Sequence, residues 1–181
     1  MSYFITISIF GKVSDPEVIH ELAETVRDEE GLDDPCDESD VIAKLREAAS
    51  NGTAVEFNGY GYDDMFHDVA FVCRKAGLSY VWTIGERGGE GPTNGKAWKP
   101  GLRSDVKFMM HDNQPGIALG TIAAVAKRGI EAVDELVSTL ASATKVGKIE
   151  IEPGFNEAYR ALLDEMTEEP EDDLEEDGMK P

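Results

Sequence analysis

The densest run of glycines in the chain, residues 85–101 (GERGGEGPTNGKAWKPG), contains a Gly-Lys pair of the kind found in phosphate-binding loops. A P-loop has the form Gly-x4-Gly-Lys-Ser/Thr and leads directly into a helix. Here Glu90 stands where the first glycine is required, and Ala97 stands where the magnesium-binding hydroxyl is required. Pro100 follows shortly afterwards and is unfavourable inside a helix. The segment is therefore not expected to bind a nucleotide.

The same segment has residues that suit a contact with another molecule. It carries several cations in a very acidic chain, including Arg87, and it contains Trp98, which is expected to be exposed. Loops with aromatic and basic anchors are favoured contact surfaces. A hairpin loop whose cations only relieve local repulsion is the simpler interpretation, and Arg87 and Trp98 are kept as candidate partner contacts.

A second glycine pattern, Gly59-x-Gly61, lies between a predicted strand and a predicted helix. That layout is typical of a dinucleotide or S-adenosylmethionine site. Asp64 replaces the third glycine, and its charge at a helix N-terminus would oppose a pyrophosphate, although a methyl donor has none. The simpler interpretation is a tight turn followed by an aspartate cap. A small enzyme that binds S-adenosylmethionine or a nucleotide at this turn is the alternative function.

Histidine and aspartate side chains form a third candidate site. Asp63, Asp64 and His67 could share one helix face, and His111 with Asp112 ends a predicted strand. Such groups could bind a metal or perform acid–base catalysis. The chain contains no HExxH, EF-hand, CxxC or GxSxG motif. Because nothing in the spacing brings the two groups together, we predict no catalytic residue, no metal site and no cofactor.

The charge of the chain restricts its partners. The 181 residues include 37 Asp plus Glu against 17 Lys plus Arg, a formal net charge of −20. This balance excludes direct nucleic-acid binding through a basic footprint and disfavours anionic membrane surfaces. Cys36 and Cys73 lie far apart, and the N-terminus lacks the basic start of a signal peptide. We therefore predict a cytoplasmic protein.

The acids are concentrated in two segments. Residues 164–181 (DEMTEEPEDDLEEDGMKP) hold ten of them and few apolar groups, which predicts a mobile acidic tail. Residues 27–40 hold eight more around two turn signals. The chain before the tail, residues 1–163, is predicted to form a single domain.

Strand and helix patterns alternate along this domain. YFITISIF, at residues 3–10, is rich in β-branched and aromatic residues and predicts a buried strand. Residues 14–17 form a capping-box pattern that starts a helix ending at Gly31 and carrying a surface His20. Residues 117–143 predict helix broken at Gly129. The whole pattern, β-αα-β-α-β-β-αα-β-α, predicts an α+β fold with a mixed sheet of about five strands and helices packed on it.

The leading functional hypothesis follows from the first helix. Its apolar residues recur at helical spacing toward the core, while its acids recur on the opposite side. Together with the following loop they form the predicted partner-binding set: Glu17, Glu21, Glu24, Asp28, Glu29, Glu30, Asp33 and Asp34, with Arg87 and Trp98 from the glycine-rich segment. We expect a non-enzymatic acidic protein-binding module, an inhibitor of the nucleic-acid-mimic or immunity type. Its expected partner is a basic protein surface, such as that of a nucleic-acid-binding protein.

Overall fold

A computed structural model gives the structure of the protein and describes residues 3–62, 64–86, 92–112 and 114–167. It confirms an α+β fold. The elements in chain order are β1 (Tyr3–Val13), α1 (Pro16–Arg27), α2 (Glu38–Asn51), β2 (Val55–Gly61), α3 (His67–Lys75), β3 (Ser79–Glu86), β4 (Pro92–Trp98), β5 (Val106–His111), β6 (Gln114–Gly116), α4 (Leu119–Ala126), α5 (Ile130–Thr144), β7 (Ile149–Ile151) and α6 (Phe155–Thr167).

The strands form one sheet in the order β2-β1-β3-β4-β5-β6, and all of these neighbours are antiparallel. The short β7 pairs in parallel with the end of β1, so the sheet is mixed at that one pairing. The sheet has two more strands than the sequence pattern predicts, β4 and β6. β6 has only three residues, and β4, with seven, is poor in β-branched residues, so neither has a recognisable strand pattern.

Strand β4 corrects the expectation of a long loop at residues 85–101. It pairs with β3 on one side and β5 on the other. A Cβ atom on Gly95 would lie 2.4 Å from the carbonyl oxygen of Trp82 and 2.5 Å from the ring of Phe108. Glycine is therefore needed here because neighbouring groups approach the strand closely, and the glycine content reflects packing within the sheet.

Helices cover opposite faces of the two halves of the sheet. On β2, β1 and β3, one face carries Ile7, Phe57 and Trp82, which belong to the main core together with residues of α1, α2 and α3 such as Leu22. At the other end, α5 contacts the opposite face of β4, β5 and β6. A second, smaller core forms there from Phe10, Val81, Ala97, Phe108, Leu140 and Ala143.

The cap of α1 lies one residue later than the capping-box pattern suggests. Asp15 is the N-cap, and its side chain accepts hydrogen bonds from the backbone N–H groups of Glu17 and Val18. The helix ends at Arg27, before the predicted stop at Gly31, which adopts a positive φ of 85° in the following loop. The predicted helix break at Gly129 is confirmed.

The loop between α1 and α2 runs along the edge of β2. Leu32 forms a β-bridge with Gly59, and the N–H of Tyr60 donates to the carbonyl oxygen of Gly31 at 2.8 Å. The N–H of Asp33 also donates to the carbonyl oxygen of Asn58 at 2.9 Å. These bonds cover an otherwise open strand edge and fix the acidic loop against the domain.

The last helix, α6, packs Phe155 and Tyr159 into the main core. It continues to Thr167 and so includes the first four residues of the predicted acidic tail. The rest of that tail, residues 168–181, lies outside the described residues. Within the described part of the chain, none of the helices combines the length and apolar character needed to cross a membrane.

Candidate functional site

A cleft of about 760 Å³ opens where the end of α1 and the loop after it face the start of α3. We call it the acidic cleft. Its lining residues are Thr25, Asp28, Glu29, Glu30, Asp64, Met65, His67 and Asp68. Five of these eight are carboxylates, and none is lysine or arginine. The cleft therefore joins two acidic segments that lie more than thirty residues apart in the sequence.

Glu29 faces the start of α3 across the acidic cleft. Helix α3 has Phe66 as its N-cap, with a left-handed φ of 63° and no side-chain cap. The first N–H groups of a helix have no partner within the helix, so they favour a nearby negative charge. The backbone of Phe66 accordingly acts to lower the pKa of Glu29, which places this carboxylate close to the start of α3.

The carboxylates of the cleft crowd one another. Partial burial raises the pKa of Glu29 above its usual value, the negative charges of Asp68 and Asp64 raise it further, and the backbone of Phe66 opposes both effects. An approaching cation would offset this repulsion and favour the charged carboxylate. The site is thus electrostatically suited to a positively charged group.

The rim of the acidic cleft is already partly neutralised. The guanidinium of Arg27 donates to Asp28, with 2.8 Å between Nε and Oδ1, and it also binds Glu38. The hydrogen bond from Arg27 lowers the pKa of Asp28. Arg27 is not part of the lining and engages only Asp28 among the lining carboxylates, so Glu29, Glu30, Asp64 and Asp68 remain available to a ligand.

The predicted partner-binding acids are not equally placed. Asp28, Glu29 and Glu30 line the acidic cleft, whereas Glu17, Glu21 and Glu24 lie elsewhere on α1 and do not line it. These last three form an acidic row along α1, in which Glu17 is exposed and Glu21 binds Lys75 of α3.

The two remaining acids of the loop lie outside the cleft as well. Asp33 and Asp34 are both exposed, and Asp34 accepts a hydrogen bond from Lys44 at 2.8 Å. Of the loop acids, only those at the end of α1 therefore line the cleft.

The glycine-rich segment provides fewer candidate partner contacts than expected. Arg87 lies outside the described residues. Trp98 was expected to be exposed, but it is half-buried at the end of β4, where its ring stacks on Tyr80 with 6.4 Å between centroids. Its Nε1 donates to the carbonyl oxygen of Leu102 at 3.0 Å. Because Trp98 belongs to a strand, its indole is used in packing, and the expectation of an exposed aromatic anchor is wrong.

The Gly59-x-Gly61 pattern has a packing explanation. Strand β2 continues through Gly61, so the turn comes after the two glycines, where the N–H of Met65 donates to the carbonyl oxygen of Tyr62 at 3.1 Å. A Cβ atom on Gly59 would lie 2.1 Å from Cε of Met65, and one on Gly61 would lie 2.9 Å from its Sδ. Met65 fills the space that a cofactor would need beside these glycines. The expected aspartate cap is absent, because Phe66 is the N-cap of α3.

The histidine and aspartate candidates separate into two places. Asp64 and His67 line the acidic cleft, whereas His111 is exposed and lies 3.4 Å from its neighbour Asp112 at the β5–β6 turn. Asp63 lies outside the described residues. No group of three or more His, Cys, Asp or Glu side chains within the described ranges is arranged to hold a metal ion.

The environment of His20 differs from the sequence expectation of a surface residue. It is buried under α6, with 3.2 Å between its Nδ1 and Oη of Tyr159. The burial of His20 could not be predicted from its position on α1, because the residues that cover it come from a helix more than a hundred residues later. Thr25, Met65 and Asp68 were likewise missed as parts of a site, since only the fold brings them together.

Comparison with protein-family models, curated proteins and solved structures found no match for this chain. The geometry and charge of the acidic cleft therefore carry the functional argument.

Proposed function

We propose that the protein is a non-enzymatic, acidic protein-binding module that engages a basic partner surface through the acidic cleft. The observation that supports this most is the convergence of the α1–α2 loop and the start of α3 on one cleft, where five carboxylates and no Lys or Arg stand among the described lining residues. An inhibitor that occupies the nucleic-acid groove of a basic protein, or that neutralises a basic toxin, fits this chemistry.

The cleft suits arginine or lysine side chains in both charge and size. A guanidinium can bind two carboxylates at once through its planar set of donors. Specific pockets typically have volumes of about 300–1,000 Å³, and the acidic cleft falls within that range at about 760 Å³. The raised pKa of Glu29 reflects unfavourable interactions that a bound cation would offset.

The acids outside the cleft have a separate part in this proposal. A net charge of −20 creates a long-range field that attracts cationic surfaces and speeds encounter. The exposed Glu17 and the half-buried Glu24 lie along α1, which leads toward the cleft. The acidic row would therefore steer the partner, and the cleft would hold one or more of its side chains.

The test compares neutral variants of matched charge, with a nona-arginine peptide as the probe and surface plasmon resonance as the readout. The cleft variant combines Glu29→Gln, Asp64→Asn and Asp68→Asn. The control variant removes three exposed acids of α2 and α6 through Glu47→Gln, Glu157→Gln and Asp164→Asn. Both variants have the same net charge, so they differ only in where the charge is lost.

We expect the cleft variant to lose about tenfold in affinity for the peptide and the control variant to lose less than about threefold, since both retain the same overall field. Equal losses in the two variants would mean that only net charge matters, and would contradict a role for the cleft.

A further inference from the structure

Helix α4 is the most apolar helix of the structure, yet none of its residues is buried. Its sequence, LGTIAAVA, contains no charged residue. Leu119 is 83% exposed, and only Ile122 and Val125 are half-buried. An isolated helix of this length has only marginal stability in water. An apolar outer face of this kind therefore indicates that another surface covers the helix.

Helix α5 extends the same apolar surface. It buries only Leu140 and Ala143, while Ile130 is 66% exposed and Val137 is 51% exposed. Contacts between the two helices hold them together as a helical hairpin. We call residues 119–144 the apolar hairpin. Contiguous exposed apolar groups of this kind mark interaction surfaces.

The apolar hairpin also carries unpaired charges of both signs. Lys127 and Arg128 lie between the two helices, and Glu131, Asp134 and Glu135 lie on α5. All five side chains are exposed, and none forms an ion pair with another described residue. The hairpin is therefore close to neutral, in contrast to the acidic cleft.

We propose that the apolar hairpin is the interface of a homodimer. A two-fold axis places a patch against itself, so such a patch must be complementary to itself. Here the apolar faces would meet, and the cations of one copy would face the acids of the other. Two copies with a charge of −20 each repel one another, and the hairpin is a surface where both signs are present. A second copy therefore fits better than a strongly charged partner.

The proposed dimer should have a characteristic dependence on salt concentration. Added salt screens the long-range repulsion between two acidic copies, while burial of apolar surface is not weakened by screening. Dimerisation is therefore expected to become tighter as ionic strength rises. Binding of a cationic group in the acidic cleft is expected to become weaker under the same change, so the two surfaces can be told apart.

The first experiment is sedimentation equilibrium of the full chain at low and high ionic strength. Leu119→Glu and Ile130→Glu each place a charge on the apolar hairpin at a position that is already exposed, so folding should be retained. We expect each to weaken dimerisation at least tenfold. Phe71→Glu is the matched control, because Phe71 is 63% exposed on α3, and it should leave dimerisation unchanged.

The second experiment exchanges charges across the proposed interface. Lys127→Glu with Arg128→Glu makes the hairpin charges all negative and should weaken the dimer. Adding Glu131→Lys and Asp134→Lys restores both signs and the original net charge, and should restore the dimer. A wild-type chain that stays monomeric at high salt would overturn the proposal. So would dimerisation that survives Leu119→Glu, a charge exchange without rescue, or a monomer that dimerises only after residues 168–181 are removed.

Discussion

The acidic cleft and the apolar hairpin lie on different parts of one sheet and differ in almost every physical property. The cleft lies beside the half of the sheet with the main core, which has 27 buried side chains among the described residues. The hairpin belongs to the half with the second core, which has six. The cleft is acidic and partly desolvated, whereas the hairpin is apolar and open. The first region is packed within the chain itself, and the proposed dimer would cover the second.

The largest expected difference between the two halves is in their response to loss of a core leucine. Leu22→Ala, in the main core, should lower the free energy of unfolding by about 3–5 kcal/mol, near the upper end of the usual range. Leu140→Ala, in the second core, should cost about 2 kcal/mol because its site is closer to solvent and can collapse more easily. Urea unfolding measures both. Equal costs would contradict the distinction between a dense half and an open half.

Two glycines provide a second comparison. Gly59→Ala places a methyl group against Met65 and 2.7 Å from the carbonyl oxygen of Gly31, and should destabilise the protein by about 1–3 kcal/mol. Gly120→Ala in α4 meets no atom within 4 Å and should stabilise the helix by about 0.5–1 kcal/mol. Thermal unfolding at one protein concentration measures both effects.

The Gly59→Ala result can be checked by relieving the contact. Met65→Ala in the same chain removes the side chain that the new methyl group would meet. Double-mutant analysis should then show a smaller penalty for Gly59→Ala than in the wild-type background. An unchanged penalty would mean that Met65 is not the reason for glycine at this position.

The acidic row on α1 should affect association more than stability. Replacing Glu17, Glu21 and Glu24 with lysine should slow association with the nona-arginine probe about tenfold, while dissociation changes much less. Stability should change by less than about 1 kcal/mol, because exposed charge pairs such as Glu21–Lys75 contribute little. Surface plasmon resonance separates the two rates. A change confined to dissociation would mean that the row makes direct contacts and does not steer the partner.

The smallest expected effect concerns Glu29 and pH. Its pKa is higher in the folded protein than in the unfolded chain, so the folded state is favoured at low pH and this contribution is lost as pH rises through the folded pKa. Glu29→Gln keeps the size of the side chain and removes the charge. It should raise stability at neutral pH by no more than about 1 kcal/mol, because the carboxyl is still partly solvated.

This gain should disappear in acid, where wild-type Glu29 is also neutral. Thermal unfolding at neutral and acidic pH gives the comparison, and Glu30→Gln is the control at an exposed neighbour. Stabilisation that is the same at both pH values would show that charge crowding is not the cause. A variant that is more stable but binds the basic probe less well would be typical of a functional site.

The sequence predicts the elements that have strong periodicity and clear caps. The strand at residues 3–10 and the helix break at Gly129 follow from composition and spacing alone. Strand β4 was missed because its Gly95 is required by the close approach of Trp82 and Phe108, which belong to other strands. Local sequence carries no information about such neighbours, so the segment was interpreted as a loop.

The candidate site was predictable only in part. The acids of the α1–α2 loop were recognised because they are contiguous, and Asp64 and His67 because of their helical spacing. Their meeting was not predictable, because it depends on the bridge between Leu32 and Gly59 and on the bond from the N–H of Tyr60 to the carbonyl oxygen of Gly31. Both are long-range contacts between backbone groups, for which no sequence signal exists.

The most direct test of the central claim is a backbone amide NMR titration of the full chain with the nona-arginine peptide, repeated at two ionic strengths. The proposed function predicts the largest shifts at Thr25, at residues 28–30 and at residues 64–68, with affinity that falls as salt rises. Shifts spread evenly over all exposed acids, or centred on the apolar hairpin, would contradict a binding site in the acidic cleft.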